Sequence, residues 1–262
     1  KILYVINSNT KGGMEKHVQN IVKGMIEHDH KVSVWCQKAS LAETYKSYGA
    51  LVYTQKPISF DIDPFYINKL SNFLIKNEID LVHSHELKAV VNSLIAGYFA
   101  KTKVNISHTH TPISEWKSKS TLKKILWIPT YIFYSIIVNL FSNAEIALTQ
   151  SRKKVKMNEG IKENKLYIIP NSVDVNQFDI AKNVKTKYKN EILKKYNLPE
   201  DAFIIGNVSR LTIEKGIDVL VKAFNEFLSH PLNANKPFYL LLAGGGNLES
   251  YIKDLLYDYG IE

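Results

Sequence analysis

Short apolar runs rich in β-branched and aromatic residues alternate with helical patterns along this chain, and few folds accept that rhythm. KILYVIN (1–7), KVSVWC (31–36), LVYTQ (51–55), DLVHSH (80–85), VNISHTH (104–110), EIALTQ (145–150) and KLYIIP (165–170) read as strands. They show little polar alternation, as expected of strands buried on both faces. In the clearest helical stretch between them, Met14, His17, Val18, Ile21, Val22 and Met25 share one face. The spacing predicts an α/β domain over 1–170, doubly wound around a parallel sheet.

Past residue 170 the character changes. Residues 171–200 are polar and Lys-rich, and read as a linker carrying a short helix. A new series then runs FIIGNVSRL (203–211) as strand, GIDVLVKAFNEFL (216–228) as helix, FYLLLAGGG (238–246) as strand and NLESYIKDLLYDYG (247–260) as helix. Leu248, Ile252, Leu255 and Leu256 give the last helix an apolar face. Such a β-α-β-α series over 201–262 is about half of a doubly wound domain. The chain is therefore expected to be C-terminally truncated, with about 100 further residues needed to finish a domain of ordinary size.

Composition narrows the class. At 45% hydrophobic and 23% charged, the 262 residues exclude a disordered or collagen-like chain. The single cysteine, Cys36, excludes an intrachain disulfide, and no Cys/His zinc spacing occurs, so a reducing cytoplasm is the expected location. The opening residues read as a strand rather than a secretory leader. The net charge of +9 is uneven: residues 1–170 hold 23 basic and 13 acidic side chains, residues 171–262 hold 11 and 12. The excess suits an acidic partner such as phosphate groups or anionic lipid, or serves solubility alone. No base-reading motif is present, so nucleic acid is not an expected partner.

From Ile125 to Ala144 there is no charged residue, and Lys117, Lys119, Lys123 and Lys124 precede the stretch. Its length would span a bilayer, but a single span would split one sheet between two compartments. A buried core helix is the expectation, and a helix lying on a membrane surface is the alternative.

Three loops at strand ends could carry chemistry. SNTKGG precedes the first helix, where Gly12 and Gly13 let backbone approach a ligand and the helix start offers free N–H groups. That suits a phosphate, or simply a tight turn. VSRLTIEKG sets Arg210 and Lys215 five residues apart, able to converge on a diphosphate or to stand as two solvated charges. The next strand ends in Gly244, Gly245 and Gly246, a backbone shaped for close approach. His83/His85 and His108/His110 form pairs at spacing two, each on one face of a strand. Neither pair has a carboxylate or cysteine to complete a metal set, with only Glu86 adjacent, so cleft-lining is favoured over ligation. His110, at its strand's end, is the best placed.

Taken together, GGMEKH (12–17), DLVHSHE (80–86), SHTH (107–110), Ser151, IIPNSVD (168–174) with Phe178, GNVSRLTIEKG (206–216) and LLLAGGGN (240–247) stand in an order and spacing that resembles the family 4 retaining glycosyltransferases of the GT-B fold. Ser172 stands where that family commonly has glycine. The resemblance implies two Rossmann-like domains facing a cleft, the second incomplete in this chain, with acceptor mainly on the first and nucleotide-sugar donor mainly on the second. It gives Arg210 and Lys215 the donor diphosphate, where they stabilise the departing nucleotide, so neither a metal nor a cofactor is expected. It sets the Gly13 N–H, beside Gly12, on the same phosphates, makes His110 catalytic with Arg210 and Lys215 and sets it against the transferred sugar, puts His85 and His110 on the acceptor side, and brings Gly244 and Gly245 close to the donor.

The implied reaction transfers sugar from a UDP-sugar, with retention, to a glycan or lipid-linked acceptor in cell-surface polysaccharide synthesis. Peripheral contact with the inner face of a membrane would follow. A sugar-nucleotide epimerase of the same fold and a non-catalytic basic binding module are the alternatives. The family's motif of two Glu with seven residues between them would lie beyond residue 262, so these residues alone are expected to be inactive.

Overall fold

A computed structural model describes residues 1–8, 12–37, 40–115, 121–173, 175–179, 182–233 and 236–261. The chain divides into two compact units, residues 1–173 and 174–262. The division falls inside the stretch that the sequence presents as a linker.

The first unit alternates strands and helices: β1 (Ile2–Ile6), α1 (Gly13–Glu27), β2 (Val32–Gln37), α2 (Ser40–Ser47), β3 (Leu51–Gln55), α3 (Pro64–Lys76), β4 (Leu81–His85), α4 (Leu87–Ala100), β5 (Val104–His108), α5 (Thr121–Phe141), β6 (Ala144–Ala147), α6 (Gln150–Asn158) and β7 (Leu166–Ile168). All seven strands pair in parallel, in the order β3-β2-β1-β4-β5-β6-β7. The order reverses between β1 and β4, which opens a crevice at the carboxyl ends of those strands.

Both faces of the sheet are buried, as the unbroken apolar runs require. Along β1, Leu3 and Val5 join Trp35, Leu70, Leu74 and Val82 under α3 and α4. Tyr4 and Ile6 point the other way, to Val18, Val22, Val34 and Tyr45 under α1 and α2. Helix starts are set locally: Asp63 accepts the Tyr66 N–H at 3.0 Å ahead of Pro64, and Thr149 accepts the Arg152 N–H at 3.1 Å. Several strands are shorter than their apolar runs. Most consequentially, β5 ends at His108, so His110 stands two residues outside its strand rather than at the tip.

The uncharged stretch forms α5, but not as a core helix. Tyr134, Ile137 and Val138 are buried against α4 and β6, whereas Ile128, Ile132, Ile136 and Leu140 are exposed at four-residue spacing. The helix is therefore apolar on both faces with one of them bare. No helix among the described residues is long and apolar enough to cross a membrane. Lys117 and Lys119 lie outside the described residues, as do the side chains of Lys123 and Lys124.

In the second unit, α7 (Lys182–Lys195) precedes β8 (Phe203–Val208), α8 (Ile217–Ser229), β9 (Phe238–Ala243) and α9 (Glu249–Tyr259). β8 and β9 pair in parallel. Their core is Leu211, Ile217, Val221 and Ile252, with Leu240, Leu242, Leu248 and Leu255 packed against it.

Candidate functional site

In the second unit the two strand-end loops are laced together. The Ser209 N–H donates to Ala243 O at 3.1 Å, the Leu211 N–H to Gly245 O at 2.9 Å, and the Leu248 N–H to Leu211 O at 3.0 Å. This lacing brings the loop of Arg210 and Lys215 beside Gly244–Gly246, as the sequence could only suggest. It also demands glycine. Gly244 has φ +147°, and a Cβ there would run into the Ser209 carbonyl; one at Gly246 would meet Leu211 O. Arg210 is exposed and pairs with Glu214 at 3.0 Å. Lys215 closes a short 3-10 turn, Ile213–Lys215, just before α8. The result is an exposed cationic loop next to bare backbone at the carboxyl ends of two parallel strands.

The first unit offers a contrasting, buried site at the crevice between β1, β4 and β5. Gly12 caps α1 in an extended conformation and Gly13 begins it, with free space where a Gly13 side chain would stand. Lys11 lies outside the described residues. Glu15, in the first turn, is buried and accepts a hydrogen bond from Ser8. Glu86 accepts backbone N–H groups of Asn7 and Ser8; burial first, and then the nearby Glu15 carboxylate, push its pKa up to about 7. Its backbone sits at φ 73°, ψ 154°, a region nearly reserved for glycine, which places local strain directly after His85.

Parallel register then does what sequence spacing could not show. Ser84 lies opposite Ser107 and His85 opposite His108, so the two histidine pairs merge into one cluster. Ring centroids are 4.4 Å apart for His83 and His85, 5.0 Å for His85 and His108, and 4.3 Å for His108 and His110. His17, from α1, stands edge-on to His108 at 5.2 Å and to His110 at 5.3 Å. His85 Nδ1 and His110 Nε2 are 3.3 Å apart. His83, His85, His108 and His17 are buried, and His110 is half-buried at the outer end. Burial, reinforced by the neighbouring imidazoles, holds the His83 pKa down to about 3 and His110 to about 4, and depresses His85 and His108 as well. The rings are therefore neutral near pH 7, able to give or take a hydrogen bond but not to act as cations.

A second feature escaped sequence reasoning. Glu145 and Lys156, both buried, form an ion pair behind the cluster. Lys156 Nζ also donates to Thr109 O and Ile146 O, each at 2.8 Å, and Glu145 accepts from Thr109 Oγ1 and Tyr134 Oη at 3.0 Å. Thr109, between His108 and His110, is thereby clamped from both sides. No periodicity marks a lysine on a mostly exposed helix as the buried one.

A seven-stranded parallel sheet wound in this order, followed by a further β/α unit, is an architecture of the GT-B fold. Residues 11–177 match the family model described as Glycosyltransferase Family 4, and residues 188–262 match the one described as Glycosyl transferases group 1. The first match alone covers more than half of the chain, and the chain belongs to that glycosyltransferase family.

Among curated relatives, it is 23% identical over 95% of its length to an uncharacterized glycosyltransferase, MJ1607, of Methanocaldococcus jannaschii. It is 25% identical over 94% of its length to the O-antigen biosynthesis glycosyltransferase WclY of Escherichia coli. The matches span 63% and 62% of those two proteins. A crystal structure of Anabaena Alr3699/HepE in complex with UDP and glucose superposes on the whole chain with a TM-score of 0.78 at 20% identity, covering 66% of that protein. That likeness is one of fold.

Proposed function

We propose that the natural gene product transfers a sugar, with retention, from a UDP-sugar to a glycan or lipid-linked acceptor of a cell-surface polysaccharide. The observation that carries this reading is the laced pair of loops in the second unit. Arg210 supplies a fork of donors and Lys215 a point charge, beside exposed backbone at Gly244 and Gly245. A diphosphate satisfies that chemistry. The two cations stabilise the charge that builds on the departing nucleotide, and Arg210 leaves Glu214 to do so. Gly12 and Gly13 present the free N–H groups at the start of α1 to an anionic group. His110, neutral and half-buried, contacts the transferred sugar, and His85 supports it from the acceptor side. The WclY relative works in O-antigen biosynthesis and the HepE structure holds UDP and glucose, which supports the class of donor and product.

The test is turnover in the natural gene product, followed as UDP release and as labelled product. Arg210→Ala and Lys215→Ala should each remove most transfer, by about 100-fold or more if each removes one transition-state contact of oxyanion-hole strength. Near-normal rates in either would overturn the site. Isomerised donor without transfer would identify an epimerase instead. Salt-dependent binding that survives Arg210→Ala, with no turnover, would identify a basic binding module.

The acceptor reading includes peripheral membrane contact, favoured by one observation. The bare stripe Ile128, Ile132, Ile136 and Leu140 on α5 continues into exposed Tyr98 and Phe99 of α4, with the Tyr98 and Phe141 rings 5.0 Å apart. Vesicles containing anionic lipid should retain the protein. Replacing Lys117, Lys119, Lys123 and Lys124 by Gln should release it, and unchanged retention would contradict the reading.

A further inference from the structure

The buried imidazoles pose a problem that sugar transfer does not solve. Six ring nitrogens, on His17, His83, His85 and His108, lie out of contact with solvent and have no hydrogen-bond partner among the described residues. A buried polar atom without a partner costs on the order of 1–3 kcal/mol, so a fold that gathers this many calls for a ligand. We propose that His83, His85 and His108 hold one borderline divalent transition ion, of the zinc type, at the carboxyl ends of β4 and β5.

Geometry carries the proposal. One ligand nitrogen from each of the three rings lies within 4.8 Å of the others. Three imidazoles on a tetrahedral zinc at about 2.0–2.1 Å would stand roughly 3.3 Å apart. Closing to that spacing asks each ring to turn about its outer side-chain torsion, the softest in the side chain. The adjoining positions fit as well. If His85 ligates through its unpartnered Nε2, its Nδ1 carries the proton and donates it to His110 Nε2, 3.3 Å away. An outer hydrogen bond of this kind is what orients a ligating histidine. The fourth position is left to water or to His17, whose two nitrogens are both unpartnered. All-imidazole donors favour zinc, copper, nickel or cobalt over magnesium or calcium. Half-buried His110 marks the side from which an ion enters. The ion would share His85 and His110 with the proposed sugar site, while the diphosphate charge is still met by Arg210 and Lys215.

The experiment uses the full chain, stripped with a chelator and dialysed. Titration with Zn²⁺ in a calorimeter should show one ion per chain, and Mg²⁺ should give no heat. Saturating Zn²⁺ should raise the melting temperature by about 5 °C. Co²⁺ should give the strong visible absorption of a four-coordinate site. In the double variant His85→Gln/His108→Gln, Zn²⁺ affinity should fall by about 100-fold or more. Absence of stoichiometric binding to the wild type overturns the proposal. So does affinity that persists in the double variant, since it would belong to exposed His28, His30 or His230. If the double variant does not fold, the wild-type cobalt spectrum still decides, because the pale absorption of a six-coordinate ion would refute a buried imidazole site.

Discussion

The two units treat polar side chains in opposite ways. Among the described residues, every polar or charged side chain that is buried lies in the first unit, from Glu15 to Glu159. The buried residues of the second unit are apolar, Leu211, Ile217, Val221 and Phe224 among them; the hydroxyl of half-buried Thr212 is also shut off from solvent, and Arg210 and Lys215 stand outside. An exposed cation stays hydrated until a ligand arrives, so it needs no scaffold of partners. A buried imidazole or carboxylate must be met inside the fold, by hydrogen bonds, an opposite charge or a bound ion. The first unit is thus a prebuilt polar site on a seven-stranded frame. The second is a charged loop system at the carboxyl ends of β8 and β9.

The sharpest way to break that contrast is to cut one ion pair in each unit. Glu145→Gln leaves the Lys156 ammonium buried without a counter-charge, and should lower unfolding free energy by about 3–5 kcal/mol. Arg210→Ala cuts an exposed pair and should change stability by less than about 1 kcal/mol. Urea unfolding midpoints decide; similar losses in both variants would erase the distinction.

A second comparison sets two glycines against each other. Gly244→Ala pushes a Cβ into the Ser209 carbonyl at φ +147°, and should cost about 2 kcal/mol or more in the second unit. Gly13→Ala meets open space at the first turn of α1 and should leave stability within about 0.5 kcal/mol of the parent. Melting curves of the two variants measure this directly.

Hydrogen exchange then tests the frames themselves. Amides of β8 and β9, in a sheet of two half-exposed strands, should exchange at least about tenfold faster than those of β1 and β4. Equal protection would mean that the smaller core is no weaker. The smallest signal is expected at Cys36. Burial pushes its pKa up to about 11 against the opposing influence of Lys46, so the thiol stays protonated at pH 8. Native protein should resist thiol-specific labelling there, and label fully once unfolded.

Much of this architecture was legible in the chain. Unbroken apolar runs such as ILYVI and VSVWC, separated by amphipathic stretches, specify strands covered on both faces, and the structure shows them so. The loops of Gly12, Arg210 and Gly244 were legible too, because glycine and charge at a strand end are local signals. What was not legible depended on alignment between segments distant in sequence. The bare face of α5 is one case: hydropathy reports that every side is apolar, but only packing against α4 and β6 decides which side is covered.

The amino-acid sequence by itself determined the alternation of elements, the parallel winding and the strand-end loops, since period, β-branching and glycine act over a few residues. Tertiary structure alone decided that two histidine pairs become one cluster, and that Lys156, on a polar helix, is buried against Glu145. Both outcomes follow from strand register and helix packing, which join residues 11 to 91 positions apart, beyond the reach of any local pattern.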